Sequence, residues 1–417
     1  GPAPAHRAPA APPPALPGED AGRTRVLGAY PGALMRSLLA TLVLLLSACG
    51  GPDLDTWHKA QLDADYVDGA ASSFDEYLAL EGRLYEQLDE EVYAYTPTGP
   101  GQALNRYSSG SAADPRGRNP DWNRSFELVP ADPHGAVLLL HGMSDSPYSL
   151  RALGQALYEQ GYRVLGLRLP GHGTIPAGLK TVHWHDMASA VGLAMTHLHE
   201  RAGSGPVHII GYSTGATLAL DYALDAEAGE VVPAPASLVL VSPAVGLTPV
   251  AGLAKWKRRL SLLPGLGRLA WLGVEPEFDP YKCNSFATNA AEQVHRLTRR
   301  ITSRLQARSG DGSGLPPMLV LKSAVDATVS TNAVVDRLLM QLSPSRHELV
   351  LFDINRSAVA SPLLVVDPGP LTARLVASPE LPFALTLVGN RDTGSQSVVA
   401  RSRPALARDF ETTTGLQ

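Results

Sequence analysis

Two cysteines in 417 residues, Cys49 and Cys283, are too few for a disulfide scaffold or a cysteine-built zinc site. A basic excess is missing as well. The 35 Lys and Arg stand against 40 Asp and Glu, a formal charge of −5, so the electrostatic footprint of a nucleic-acid binder is absent. Aromatic residues make up only 6% beside 39 Gly and 35 Pro, a bias that reads as a GC-rich coding sequence rather than a special fold. No metal or organic cofactor is implied. What is present is apolar bulk: 44% hydrophobic and 18% charged positions support a large buried core.

The first residues carry no fold signal. Gly1–Leu34 is rich in Pro and Ala and lacks hydrophobic periodicity, so it is expected to be disordered or to lie upstream of the natural start. Met35 is the more credible start. Arg36, the apolar run Leu38–Leu46 and the small residues Ser47-Ala48 before Cys49 make residues 35–48 a secretory signal. The run falls short of the roughly 20 apolar residues that span a bilayer. Leu46-Ser47-Ala48-Cys49 looks like a bacterial lipobox, in which Cys49 is lipidated and becomes the new N-terminus. Gly50 rather than Asp follows it, which directs a lipoprotein outward. The expectation is a soluble domain held on a membrane of the bacterial envelope, outer membrane or periplasm-facing, by a lipid on Cys49. Cys283 is then left without a disulfide partner.

Residues 49–124 read as an N-terminal helical region and a linker. Phe74, Tyr77, Leu78, Leu84 and Leu88 have helical spacing with acids between them, whereas Thr96–Trp122 is rich in Gly, Ser, Pro and Asn. From Ser125 to the end the pattern is different. Apolar runs at 136–140, 163–167, 206–210, 237–241, 318–321 and 348–352 alternate with helical stretches at 150–160, 183–201 and 214–224. Short apolar strands alternating with helices predict an α/β fold, a mostly parallel sheet covered on both faces. Residues 246–295 interrupt the alternation with Trp256, Trp271 and many leucines among Lys255, Lys257, Arg258, Arg259 and Arg268. A helical lid over a lipophilic pocket has this composition.

Gly211-Tyr212-Ser213-Thr214-Gly215 lies between an expected strand and an expected helix, the context a G-x-S-x-G nucleophile elbow requires. Gly211 and Gly215 permit the tight turn, and Ser213 is the candidate nucleophile at a helix N-terminus that favours negative charge. The oxyanion hole needs two backbone amides; Thr214, directly after the nucleophile, and Met143, after the strand at 136–140, are the candidates. Asp326 falls at the carboxyl end of the strand at 318–321 and is the candidate acid, with Asp353 as backup. A helix N-cap would look similar at Asp326. His141 and His172 read as packing residues in loops at the active edge, and the pairs His183/His185 and His197/His199 as solvated helix positions, because no cysteine or carboxylate set completes a metal site.

The base is missing. With this elbow the chain order is Ser, acid, then His, yet no histidine occurs from Leu351 to Gln417. His347 precedes the strand at 348–352 and should lie at the opposite sheet edge, roughly 20 Å away at about 3.3 Å per residue. The residues alone leave two alternatives, a pseudoenzyme or an incomplete chain.

His141–Arg151, Arg168-Leu169-Pro170-Gly171-His172-Gly173-Thr174 and the elbow resemble bacterial α/β-hydrolases of the serine aminopeptidase and monoacylglycerol lipase-like group. Tyr281–Phe286 and Phe352–Arg356 are similar too, and the likeness runs from about Ser73 to the end. The resemblance implies an α/β-hydrolase fold, with residues 125–417 as the hydrolase domain. It also implies that the chain continues past Gln417 into a Ser-Leu-Ser-His pattern that supplies the base. The implied activity is cleavage of carboxylic esters, of acylglycerol or other lipophilic acyl type, the partner being a small-molecule or lipid ester. Peptide-bond hydrolysis and a catalytically silent binding lipoprotein are the alternatives.

Overall fold

The computed structural model describes residues 53–246, 267–307 and 314–413, apart from Ala327, Ser345, residues 355–366, Thr393 and Gln396. The upstream segment, the signal peptide, Cys49 and residues 247–266 of the expected lid lie outside the described residues.

The first elements are a single turn, Thr56–Lys59 (α1), and a long helix, Phe74–Glu91 (α2). Ser73 caps α2 by accepting the Glu76 amide at 3.2 Å, which satisfies one of the orphan donors of the first turn. Phe74, Tyr77, Leu84, Tyr85 and Leu88 are buried. Leu78, expected in that apolar stripe, is instead 38% exposed, and the helix turns Glu81 inward. The reason is Arg168, whose side chain is fully buried. Its Nε donates to Glu81 Oε2 at 3.1 Å, Nη2 to Asp65 Oδ1 at 2.9 Å and Nη1 to the His172 carbonyl at 3.0 Å. Burial opposes the charge, but the Asp65 and Glu81 carboxylates outweigh it and hold the guanidinium ionised.

Residues 96–122, expected as an extended linker, pack closely instead. Tyr107 is fully buried, donates to the Thr174 carbonyl at 2.9 Å and stacks on Trp57 with ring centroids 5.0 Å apart.

An edge strand, Phe126–Leu128 (β1), precedes the apolar runs, which form Ala136–Leu140 (β2), Arg163–Leu167 (β3), Val207–Tyr212 (β4) and Ser237–Val241 (β5). Trp271–Gly273 (β6) and Phe286–Ala287 (β7) pair as a separate ribbon. Met318–Ser323 (β8) and His347–Asp353 (β9) follow, then Ala384–Asn390 (β10), Val398–Arg403 (β11) and Glu411–Thr413 (β12). The main sheet runs β1-β3-β2-β4-β5-β8-β9-β10-β11-β12. It is parallel from β3 to β10 and antiparallel at both edges.

All five positions of β2 are buried, so its run is apolar without alternation. Val137 and Leu139 meet Val164, Ile210 and Leu157 of Arg151–Glu159 (α3) on one face. Leu138 and Leu140 face Trp184–Ala202 (α4) and Thr214–Glu227 (α5) on the other. A further helix, Thr288–Ala307 (α6), sends Val294, Leu297 and Ile301 into the same core, so the expected lid boundary at 295 cuts through a core helix. Thr331–Arg337 (α7) and Gly369–Ala377 (α8) complete the helices. Arg403 of β11 is buried and donates to the Leu375 carbonyl at 2.7 Å, satisfying the open carbonyl end of α8.

The chain leaves β2 for β3 on one side and returns to β4 on the other. The carboxyl ends of β2 and β4 therefore flank a topological switch point, where α/β sheets open a crevice.

Removing Glu81 leaves a buried guanidinium short of its counter-charge. Glu81→Ala is expected to cost about 3–5 kcal/mol, while Leu78→Ala on the same helix stays within about 0.5 kcal/mol; paired urea denaturation curves check both.

Candidate active site

Ser213 closes β4 and caps α5 with φ 53° and ψ −112°, a backbone region that costs a non-glycine residue about 1–3 kcal/mol and clusters at functional turns. The surroundings hold it there: the Ser213 amide donates to the Val241 carbonyl at 2.9 Å, and its carbonyl accepts from the Thr217 amide at 3.1 Å. The flanking glycines are steric necessities. A Cβ on Gly211 would sit 2.4 Å from the Ala216 amide nitrogen, and one on Gly215 would sit 2.1 Å from the Leu140 carbonyl oxygen. Helix α5 thus runs directly against the end of β2, and the elbow is pressed beside the loop that carries Met143.

Both loops line one cavity of about 710 Å³, whose wall includes Met143, Ser213 and Thr214 with Leu272, Phe286 and Val294. Leu272 is 42% exposed at its margin. Thr214 opens α5, so its amide has no intrahelical acceptor. The loop after β2 is braced from outside. Ser144, at φ 68°, accepts the Cys283 amide at 2.8 Å, and Tyr148 stacks on Tyr281 with centroids 3.6 Å apart. Cys283 itself lines the cavity, but burial pushes its thiol up to about 12, which leaves it protonated and inert. A second cavity, of about 590 Å³, lies between α1 and residues 274–278 and does not include the elbow.

His141 and His172 are both buried. His141 Nε2 accepts the Leu169 amide at 3.0 Å, so Nδ1 carries the proton and donates to the Gly142 carbonyl at 2.9 Å. His172 Nδ1 donates to the Pro170 carbonyl at 2.8 Å, and its Nε2 lies 3.2 Å from the Met143 sulfur. Burial pushes His172 down to about 4 and His141 well below its usual range. Both are neutral braces of the loop. Among the described residues no histidine lines the cavity. His347 opens β9 opposite Met318, at the amino edge of the sheet.

Asp326 follows β8. Its Oδ1 accepts the Thr328 and Val329 amides at 2.9 and 3.0 Å, and its Oδ2 is ion-paired to Lys322. Burial would raise this carboxyl, but Lys322 and the two amides outweigh it and hold it below the ordinary carboxylate range. The helix N-cap at this place is Ser330, which accepts the Ala333 amide at 3.2 Å, so Asp326 is not that cap. Burial, then the carboxylates of Asp145 and Asp326, push up the phenol of Tyr212 beside the nucleophile. Asp353 ends β9 and accepts the Thr372 hydroxyl of α8 at 2.9 Å.

The expectation for the helical histidines needs one correction. His183, His185 and His199 are exposed, but His197 is buried, with Nε2 3.2 Å from Glu127 Oε2 and its ring 4.7 Å from Phe74. It shares the inward stripe of Val191, Ala194 and Leu198 on α4. Lys322 was also missed. Met318, Val320 and Lys322 alternate as the buried positions of β8, and a lysine on that stripe four residues before an aspartate signals a buried pair.

Residues 131–354 match the Hydrolase_4 family, serine aminopeptidase, S33. The chain belongs to this family. A thermostable monoacylglycerol lipase from Bacillus sp. (strain H-257) is 36% identical over 84 residues, 20% of this chain and 33% of that relative; the chain thus spans about a third of its length. Among solved structures, a monoacylglycerol lipase from Paleococcus ferrophilus is 19% identical over 55% of this chain and 87% of that one, with a TM-score of 0.41. A soluble variant of monoglyceride lipase from Saccharomyces cerevisiae is 14% identical over 54% and 81%, with a TM-score of 0.43. The family supports hydrolase, lipase-like chemistry on an α/β-hydrolase fold. Its match begins after α2 and ends one residue after β9, so the helical region that buries Arg168 and the β10–β12 extension lie outside it.

The neutral loop histidines make the hydrolase acid-sensitive. Unfolding returns His172 from about 4 to its ordinary 6.5, so the unfolded chain binds more protons between those values and stability falls as pH drops through them. Each such histidine contributes a slope of up to about 1.4 kcal/mol per pH unit. Urea midpoints should fall between pH 7 and pH 5, and His172→Gln should flatten the slope; an unchanged slope would remove His172 from the account.

Proposed function

We propose that this chain is the body of a serine hydrolase that cleaves carboxylic esters of lipophilic acyl groups, acylglycerols foremost. The observation that carries the reading is Ser213, held at positive φ at the head of α5, on the wall of a cavity that Leu272, Phe286 and Val294 also line. In this reading the Ser213 hydroxyl attacks the ester carbonyl, and the amides of Met143 and Thr214 hold the oxyanion. Asp326 orients a triad histidine, which is not among the described residues that line the cavity. That histidine takes the Ser213 proton and passes it to the leaving alcohol. It then draws a proton from water, which hydrolyses the acyl-enzyme and restores Ser213. The lipobox-like Cys49 would carry a lipid anchor and place the enzyme on the cell envelope, against its lipid substrates.

One observation favours a second reading, peptide-bond hydrolysis. Asp145 is a wall residue of the same cavity and could receive a substrate ammonium. Lys282, 3.9 Å away, answers that charge, so the ester reading stands first.

In the full-length protein, a fluorophosphonate probe is expected to label Ser213. Ser213→Ala should lower ester turnover by at least about 10³-fold. Long-chain monoacylglycerols should be preferred over acetyl esters and over aminoacyl amides. Turnover surviving in Ser213→Ala overturns the site. An unlabelled, folded protein favours a silent binding lipoprotein, and preference for aminoacyl amides favours the peptidase.

A further inference from the structure

The side chain of Lys322 has no exposed surface. It takes the last inward position of the stripe Met318, Val320, Lys322 on β8. An apolar residue would continue that stripe without withdrawing a charge from water, so the ammonium carries a cost that a methionine would not. What it gains is Asp326, four residues on, whose Oδ2 accepts from Nζ. Burial pushes the ammonium down and the Asp326 carboxylate opposes this, so the two remain an ion pair.

The lone pairs of Asp326 define where a base can join it. Each carboxylate oxygen offers two. Oδ1 uses both on the Thr328 and Val329 amides at 2.9 and 3.0 Å, whereas Oδ2 receives Lys322 and keeps one free. A histidine N–H that reaches this carboxylate therefore bonds to Oδ2, beside the ammonium. Two donors that share one oxygen at ordinary hydrogen-bond lengths stand about 4–5 Å apart. At that separation a like charge disfavours an imidazolium, so Lys322 offsets part of the stabilisation that Asp326 gives it. We propose that Lys322 is a positioning residue of the triad: it holds Asp326 by Oδ2 and, through that shared oxygen, keeps the histidine neutral and able to accept a proton in mild acid. The inference rests on the ester reading, with Ser213 as nucleophile and Asp326 as acid, and deepens it.

The other titratable groups around this corner do not take over that part. Tyr212 of β4 feels the Asp326 carboxylate, but burial, then Asp145 and Asp326, raise its phenol, so it stays neutral. Asp353 at the end of β9 is turned to the Thr372 hydroxyl of α8. Asp145 and Lys282, on the cavity wall that Thr328 and Val329 share, lie 3.9 Å from each other and offset one another. Burial raises Asp326, but Lys322 and the two amides outweigh it, so the carboxylate is ionised wherever a histidine titrates.

The pH dependence of fluorophosphonate labelling at Ser213, measured on the full-length protein, tests it. Labelling needs the neutral base, so its rate falls in acid with the midpoint of the histidine. Lys322→Met should move that midpoint up by about 1 pH unit, and Lys322→Arg, which keeps the charge, should hold it near the wild-type value. A lysine with a merely structural part would change the labelling rate but not the midpoint, and an unmoved midpoint in Lys322→Met overturns the proposal while leaving the ester reading intact. If Lys322→Met does not fold, the wild-type protein decides: a midpoint below the ordinary histidine value of about 6.5 supports the proposal, and one above it overturns it. A folded protein that is not labelled at any pH overturns the ester reading and this proposal with it.

Discussion

A single buried cation, Arg168, organises the side of the molecule that matters. Its guanidinium reaches Glu81 on α2, Asp65 before α2 and the carbonyl of His172 in the loop after β3. Asp65 also accepts the Gly171 amide at 2.7 Å, and Glu81 accepts the Ser125 amide at 2.9 Å. Charges of this kind are tolerated inside a protein only when every partner is in place. The network therefore acts as a unit. It fixes where the N-terminal helix lies, and it fixes the loop whose histidine rests on Met143. A region outside the family match is thereby a structural condition for the loop beside the nucleophile.

The elbow depends on a second, purely steric constraint. Leu140 ends β2, and its carbonyl oxygen sits where a Cβ of residue 215 would be. Only a glycine lets α5 come that close, and that approach sets the Ser213 turn against the loop after β2. The two devices converge from opposite directions: backbone contact from α5 on one side, and a chain of buried polar groups from α2 through Arg168 and His172 on the other. Tyr281 and Cys283 close the third side by stacking on Tyr148 and donating to Ser144. The crevice at the β2–β4 switch point is thus walled by elements distant in sequence.

Much of this was legible in advance, for physical reasons. Strands buried on both faces must be apolar without interruption, so the runs at 136–140 and 237–241 coincide with β2 and β5 to the residue. The elbow was legible because a tight turn demands glycine at fixed spacing. Three things were not. The stripe on α2 was drawn through Leu78, since an acid on the buried face makes sense only once Arg168 is known to face it. The segment at 96–122 has turn-rich composition, which says nothing about the cavity between α2 and Gly173 that Arg106 and Tyr107 fill. The strands β1 and β10–β12 lack long uninterrupted apolar runs: β1 and β12 are the two sheet edges, and β12 is exposed at all of its positions, while β10 buries only alternate residues.

Two buried charges show how much the setting of a buried group decides. Lys322 and Arg106 are both cations withdrawn from water. Lys322 lies four residues before Asp326 and spends its charge on that carboxylate, pulling it below its ordinary range and fixing the oxygen that the two amides of the turn leave open. The cost of burying the lysine is thereby turned into orientation of the acid. Arg106 forms no ion pair among the described residues, and its charge is met through space by the buried Glu277 carboxylate, which accepts the Asn284 and Ser285 amides at 2.9 and 2.8 Å. Equal burial thus leads to different arrangements, a closed ion pair in one case and a carboxylate that acts without direct contact in the other. The difference lies in how closely a carboxylate approaches, not in the depth of the site.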